Sequence, residues 1–151
     1  MFTLVPSGFF DPAAERETLA EVANIEEGAA IAHADIPQYD AVLIYTVGGD
    51  SGVSDPEILN VLRDLPNCAE YNKILCSMVD GVLYLGIAQG RSLLLANSYR
   101  VQNFTSAEYF IFLAMKSLQL NPEVSTICWR TPLNSGDEMS LYRYFKAVEV
   151  L

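Results

Sequence analysis

Three consecutive β-type runs followed by a helix constrain the fold of this chain more than any other feature. The runs span residues 74–79, 82–89 and 92–101, and the helix is predicted over residues 105–120. Asp80-Gly81 separates the first two runs, and this dipeptide favours a type I′ hairpin turn because both central residues take positive φ. Gly90-Arg91 provides a second tight reversal. We therefore expect three antiparallel strands in sequence order.

The segment that follows completes a mixed α/β pattern. Thr105 and Glu108 have the spacing of a capping box, and residues 109–115 are apolar on every side, which predicts a helix covered from more than one direction. Residues 124–129 form a predicted strand. Residues 135–138 repeat the capping-box spacing ahead of a last helix that includes Val148. The order βββαβα is that of the opening of a ribonuclease H-like lobe, although other mixed α/β folds begin in the same way.

The first 66 residues have a different order of elements. A strand at residues 2–5 precedes a helix that Asp11-Pro12 should begin and that should end near Asn24. Strands are predicted over 29–35 and 41–47, the second covered on both faces because it has no polar alternation. A helix capped by Ser54 or Asp55 follows. The polar residues 67–71 are the expected boundary between a lobe over 1–66 and a lobe over 72–151, although the two parts can also form one compact domain.

Composition excludes several classes of function. Nineteen acidic and nine basic side chains give a formal charge of -10, which repels nucleic acids and anionic lipid surfaces. No apolar run approaches the roughly 20 residues that cross a bilayer, and the N-terminus lacks the features of a secretory signal. Three cysteines without CxxC spacing, Cys68, Cys76 and Cys128, fit reduced core residues. We expect an acidic cytoplasmic protein that binds neither nucleic acid nor membrane.

No complete catalytic or metal-binding signature is present in the sequence. His33 is the only histidine and lies in a predicted strand, so a structural or solvent-facing role is expected for it. Asp35, Asp40, Asp50 and Asp55 do not have the spacing of a calcium-binding loop. We predict no catalytic residue, no metal ligand and no cofactor.

Two glycine-containing segments are the weak candidates for phosphate binding. Residues 48–52, Gly48-Gly49-Asp50-Ser51-Gly52, follow a strand and precede a helix, where backbone amides can meet an anion. The Walker pattern fails there, because no Gly-Lys-Ser/Thr follows. Asp80-Gly81 is the other segment, and its hairpin role is a sufficient explanation for it.

Three parts of the chain resemble a known family. They are Phe2-Thr3-Leu4-Val5-Pro6 with Phe9-Phe10, Asp40-Ala41-Val42-Leu43-Ile44-Tyr45, and Leu93-Leu94-Leu95-Ala96-Asn97-Ser98-Tyr99 continuing to Glu108-Tyr109-Phe110. The chain resembles an uncharacterised bacterial domain-of-unknown-function family whose longer members have an actin-like ATPase fold of two ribonuclease H-like halves. The resemblance implies that this chain is a central portion, either a fragment, a shortened form or a paired subunit.

The resemblance also identifies where the chain departs from active relatives. Actin-like ATPases hold phosphate with a hairpin loop rich in glycine and hydroxyl groups. Here Asp80-Gly81 is followed by Val82-Leu83, with no Ser, Thr or Lys in the loop. We therefore expect a non-catalytic module that holds a protein partner or a second copy of itself. The alternative is an ATP-binding or ATP-hydrolysing enzyme with a degenerate site at Gly48, Gly49, Gly52, Asp80 and Gly81.

Overall fold

A computed structural model describes residues 1–47 and 56–151 of the chain. It divides into two compact units, Met1–Leu59 and Asn60–Leu151. The predicted boundary at 67–71 lies inside the second unit. The predicted helix caps at Ser54 and Asp55 lie outside the described residues.

The first unit contains a three-stranded antiparallel sheet in the order β1-β3-β2. Its elements are β1 (Phe2–Pro6), α1 (Glu15–Ala20), β2 (Ala30–Ile36) and β3 (Ala41–Val47). Four successive residues of β3, from Ala41 to Ile44, are buried, so this strand is covered on both faces as predicted. The backbone amide of Ala13 donates to Asp11 Oδ1, which confirms the predicted cap.

The first helix is shorter than predicted. α1 ends at Ala20 and does not reach Asn24. The amide of Val22 donates to the carbonyl of Leu19 at 3.1 Å, a three-residue spacing that tightens the chain into a turn. Only Leu19 of this helix is buried, so little tertiary packing holds a longer helix in place.

The second unit contains a five-stranded sheet in the order β6-β5-β4-β7-β8. Its elements are α2 (Glu57–Asp64, which begins before the unit boundary), β4 (Asn72–Val79), β5 (Val82–Gln89), β6 (Ser92–Arg100), α3 (Phe104–Ser117), β7 (Thr126–Trp129), α4 (Ser135–Tyr142) and β8 (Ala147–Val150). β4, β5 and β6 form the predicted antiparallel meander, whereas β7 runs parallel to β4 and β8 parallel to β7. From β4 onward the element order is βββαβαβ, which gives a mixed α/β sheet.

Helices pack on both faces of this sheet. The inner face of α3 contributes Ala107, Ile111 and Met115 to a core that also holds strand residues such as Ile74 and Leu85. On the other side, a β-carbon at Gly86 would lie 3.1 Å from Val61 Cγ1. Gly86 therefore lets α2 approach β5 closely.

Both capping boxes predicted for this unit are wrong. α3 begins one residue earlier than expected, and Asn103 Oδ1 accepts the amide of Ser106 at 2.8 Å. Likewise, Asn134 Oδ1 accepts the amide of Asp137 at 2.8 Å at the start of α4. An asparagine that directly precedes each helix takes the capping position, because its short amide reaches the same free N–H groups.

The last predicted helix also ends too early to include Val148. α4 stops at Tyr142, and residues 147–150 form β8. The β-branched side chains of Val148 and Val150 suit a strand, and they pair with Ile127 and Trp129 of β7. Pairing with a neighbouring strand therefore decides the conformation of the chain end.

Candidate functional site

The carboxyl ends of β4 and β7 form the edge at which open α/β sheets bind ligands. β4 ends at Val79 and β7 at Trp129. Two hydrogen bonds fix the chain that leaves β7: the Arg130 amide donates to the Cys76 carbonyl at 2.8 Å, and the Met78 amide donates to Thr131 Oγ1 at 3.1 Å. Residues beyond the end of β7 are thus held against β4.

The Asp80-Gly81 segment at this edge is a two-residue hairpin turn. Asp80 and Gly81 have φ of 51° and 73°, as a type I′ turn requires, and Val79 pairs directly with Val82. The carbonyl of Gly81 accepts the amide of Val101 at 2.9 Å. The predicted hairpin is confirmed, and the turn contains no additional residues that could surround a phosphate group.

The other candidates for phosphate binding, Gly48, Gly49 and Gly52, lie outside the described residues. Asp50 and Asp55 lie in the same undescribed segment.

A cavity of about 280 Å³ lies beside the hairpin, and we call it the β4–β7 cavity. It is lined by Met78, Phe104, Trp129, Thr131, Pro132, Leu133 and Asp137. The ring centroids of Phe104 and Trp129 lie 5.5 Å apart at this cavity. Among the described residues, Asp137 is the only charged one that lines it. A phosphate group would meet this carboxylate without a balancing cation.

Trp129 is the residue of this cavity with unusual hydrogen bonding. Its side chain is only 1% exposed, and its indole N–H has no hydrogen-bond partner among the described residues. A buried donor without an acceptor costs about 1–3 kcal/mol. Trp129 was not among the candidate residues predicted from sequence, although a lone tryptophan at the end of a predicted strand could have indicated it.

Glu108 is a buried carboxylate between α3 and α4. Both of its oxygens lie 3.0 Å from Ser140 Oγ, which donates to them. Burial raises the pKa of Glu108 above its usual value, and the Ser140 hydrogen bond partly offsets that effect. Glu108 therefore connects two helices and does not close the capping box predicted for it.

The three cysteines are buried thiols. Burial raises the pKa of Cys76 well above its usual value. The hydrogen bond between Cys68 and Cys128 raises the pKa of Cys68 and lowers that of Cys128. A protonated thiol is a poor nucleophile and a poor metal ligand. Within residues 1–47 and 56–151, no group of three His, Cys, Asp or Glu side chains could hold a metal ion.

His33 lies in β2, as predicted, and is partly exposed. Its Nδ1 atom lies 2.8 Å from Glu15 Oε2, and its ring centroid lies 4.8 Å from that of Phe10. These contacts connect β2 to α1 and to the segment before it. The environment gives His33 a structural role.

A second candidate is the outer surface of α3 and α4. It comprises five largely exposed apolar or aromatic residues, and we call it the α3–α4 surface: Tyr109, Leu113, Met139, Tyr142 and Tyr144. The sheet core covers one side of α3 and the α4 region covers another, as expected, whereas Tyr109 is 61% and Leu113 is 50% exposed on a further side. An open groove of about 630 Å³, lined in part by Phe112, Lys116 and Arg143, extends to Tyr144.

No helix in the described residues is long and apolar enough to cross a membrane. Comparison with curated proteins gives no match. Among solved structures, the chain is similar to a Bacteroides thetaiotaomicron VPI-5482 protein with an actin-like ATPase fold and unknown function. The TM-score is 0.78 and the identity 15%, over 99% of this chain and 64% of that chain. The chain therefore has the actin-like ATPase fold and spans about two thirds of the length of that relative.

A family model described as "Protein of unknown function (DUF3822)" matches residues 57–148. The match covers more than half of the chain and includes the whole meander, α3, β7 and α4. This agrees with the resemblance found in the sequence. The chain belongs to the DUF3822 family of proteins of unknown function.

Proposed function

We propose that this chain is a non-catalytic actin-like module that acts by holding a protein partner or a second copy of itself. The observation that carries the proposal is the α3–α4 surface. Scattered exposed apolar residues are normal on any protein, whereas a cluster of them on neighbouring elements is typical of an interaction site.

Each of the two helices contributes two of these exposed residues. Tyr109 and Leu113 are four residues apart and share one side of α3, while Met139 and Tyr142 are three residues apart on α4. Contacts between α3 and the α4 region hold them in fixed positions. The rings of Phe112 and Tyr144 meet edge to face at 4.9 Å, and Ser140 donates to Glu108.

The composition of this surface suits protein binding. Three of its five residues are tyrosines, and aromatic residues and methionine are enriched at protein interfaces. Fully burying one large apolar side chain contributes roughly 1.5–3 kcal/mol. Burial of several of these residues would offset much of the free-energy cost of association.

The geometry at the carboxyl edge of the sheet supports a non-catalytic role. Asp80-Gly81 is a minimal turn, and the described residues that line the β4–β7 cavity include no cation. The alternative function, ATP binding with Gly48, Gly49, Gly52, Asp80 and Gly81, would need phosphate contacts beyond those of the Asp80-Gly81 turn.

Light scattering coupled to size-exclusion chromatography tests the proposal. If a second copy is the occupant, the mass should rise above the 16.7 kDa of one chain as concentration increases. Leu113→Glu should return it to the monomer mass, because a charge would then be buried in the interface. Val22→Glu is the matched control, since Val22 is 65% exposed in the first unit and lies outside the surface.

A partner of different sequence gives a different result in the same assay. The chain then stays monomeric. Affinity capture should recover a protein that binds the Val22→Glu variant and does not bind the Leu113→Glu variant. The proposal would be contradicted if the chain stays monomeric at high concentration and affinity capture recovers no such protein.

A further inference from the structure

The open groove that extends from Phe112 to Tyr144 lies where α3 and α4 both end, and we call it the helix-end groove. Lys116 lies in the last turn of α3, and Arg143 directly follows α4. The volume of about 630 Å³ lies within the roughly 300–1,000 Å³ of ordinary ligand pockets. The groove is therefore large enough for a compound with one or two rings.

Apolar side chains that remain accessible form one part of the groove. The rings of Phe112 and Tyr144 meet edge to face with their centroids 4.9 Å apart. Leu120 and Pro122 also line the groove. Tyr144 is exposed and the other three are only half-buried, so all four present surface to a ligand. The complementary ligand part is an aromatic or aliphatic body.

Two exposed cations line the same groove. Lys116 and Arg143 are both accessible to solvent, and no ion pair joins either of them to a carboxylate of the described residues. Arg143 acts on Glu108 from beyond ion-pair distance, where it lowers the Glu108 pKa. Both cations also offset the negative ends of the helix dipoles, which leaves their N–H donors available. A carboxylate can accept from the ammonium group and from the guanidinium group together.

Two further polar residues limit the ligand. Gln119 has a φ of 59°, a conformation that glycine usually provides after a helix, yet its side chain lines the groove. Its amide N–H can donate to the same anion. Glu123 brings a negative charge to the lining and opposes a second negative charge on the ligand. The lining therefore favours a monoanion over a polyphosphate such as a nucleotide.

The formal charge of -10 opposes an anion mainly at long range. At physiological ionic strength the Debye length is about 8 Å, so carboxylates farther away are largely screened. Lys116 and Arg143 would act on a bound carboxylate from well inside that length. The local charges of the groove therefore outweigh the overall charge of the chain.

We propose that the helix-end groove binds a small monocarboxylate with an aromatic or aliphatic body. The carboxylate accepts from Lys116 and Arg143, and the apolar body lies against Phe112, Leu120 and Tyr144. Tyr144 also belongs to the α3–α4 surface, but this site needs no protein partner. The present proposal and the proposed function can therefore fail separately.

Naphthoate and naphthamide form a matched pair of probes, because they share a ring system and differ in charge. An NMR titration of the backbone amides measures the affinity and locates the site. With naphthoate we expect saturable shifts of the amides around residues 116–121 and 143–144, with a dissociation constant on the order of 1 mM or below. Naphthamide should bind at least about threefold more weakly, because it lacks the charge.

The salt dependence of naphthoate binding has opposite signs in the two electrostatic cases. Attraction by Lys116 and Arg143 is screened by salt, so added salt should weaken the binding. If repulsion by the acidic chain dominated, added salt would strengthen it, and that result would overturn the proposal.

Two groove variants and one control separate the local cations from the net charge. Lys116→Gln and Arg143→Gln should each weaken naphthoate at least about threefold and change naphthamide by less than about twofold. Arg91→Gln removes the same charge from the turn between β5 and β6, outside the groove, and should leave both affinities unchanged. The proposal would be overturned by absence of saturable naphthoate binding or by equal binding of the two probes. An effect of Arg91→Gln as large as that of the groove variants would overturn it as well.

Discussion

Two residues of α3 that lie two positions apart allow a matched test of which face of this helix is buried. Ile111 is 0% exposed and belongs to the core of the second unit, whereas Leu113 is 50% exposed. Substitution by alanine removes three carbon atoms from either side chain. At about 0.8 kcal/mol per buried methylene, Ile111→Ala loses roughly 2.5 kcal/mol of transfer free energy, and the remaining cavity brings the cost to about 2–5 kcal/mol. Leu113→Ala should cost less than about 1 kcal/mol, because half of its side chain is already in water.

Urea denaturation followed by tryptophan fluorescence measures this difference in the relevant unit. Trp129 is the only tryptophan and lies in the same core cluster as Ile111, so the signal reports the unfolding of the second unit. With a slope of about 1–3 kcal/mol per molar urea, Ile111→Ala should lower the midpoint by roughly 1 M or more. The protein concentration should be kept low so that self-association does not stabilise the folded state. Equal destabilisation by the two variants would show that Leu113 is buried and would refute the assignment of the α3–α4 surface.

Three further predictions concern single residues of the second unit. The pKa of Glu108 is raised in the folded chain, so the folded chain keeps a proton that the unfolded chain loses above about pH 4.5. The free energy of unfolding therefore falls as the pH rises from about 4.5 through the folded pKa. Glu108→Gln should remove this pH dependence from the denaturation curves and stabilise the protein at neutral pH. A pH dependence that the variant leaves unchanged would contradict the prediction. Asn103→Ala should lower the free energy of unfolding by about 0.5–2 kcal/mol in urea denaturation, because the helix cap is lost, whereas Thr105→Ala should change it little. A larger loss with Thr105→Ala than with Asn103→Ala would instead support the capping box predicted from sequence. Gly90→Ala should lower the melting temperature by an amount equivalent to about 1–2 kcal/mol. Gly90 has a φ of 56°, and a β-carbon there would lie 3.0 Å from the Tyr71 ring. An unchanged melting temperature would contradict this prediction.

The elements that sequence predicted well are those specified by neighbouring residues. Asp80-Gly81 and Gly90-Arg91 fix the meander, because each turn requires a backbone conformation that few residue pairs adopt. The run of apolar residues in β3 similarly identifies a strand covered on both faces. These signals are local, and the structure confirms them.

The elements that sequence predicted wrongly depend on distant partners. Glu108 has the spacing of a capping box, but Ser140 of α4 holds its carboxylate, and nothing near Glu108 in the sequence indicates this contact. The end of the chain was predicted to be helical, and it becomes a strand because β7 offers hydrogen bonds to residues 147–150. Only the tertiary structure decides between these alternatives.

The β4–β7 cavity could not be predicted from sequence for the same reason. Its lining comes from the end of β4, the start of α3 and the chain after β7, which approach one another only in the folded lobe. The sequence did allow the character of the hairpin beside it to be predicted, since Val82 and Leu83 follow Asp80-Gly81 directly. The tight turn at Asp80-Gly81 was therefore predictable, whereas the unpaired N–H of Trp129 was not.

Nucleotide binding to the intact chain tests the central claim that this member of the family has the actin-like fold without a working phosphate site. Scanning calorimetry with ATP or ADP, each with and without magnesium, measures any stabilisation of the folded state. A nucleotide at about 100 times its dissociation constant would add about 2.7 kcal/mol and raise the melting temperature by several degrees. We predict no change with either nucleotide. A saturable increase that requires magnesium would contradict the account and favour the ATP-binding alternative.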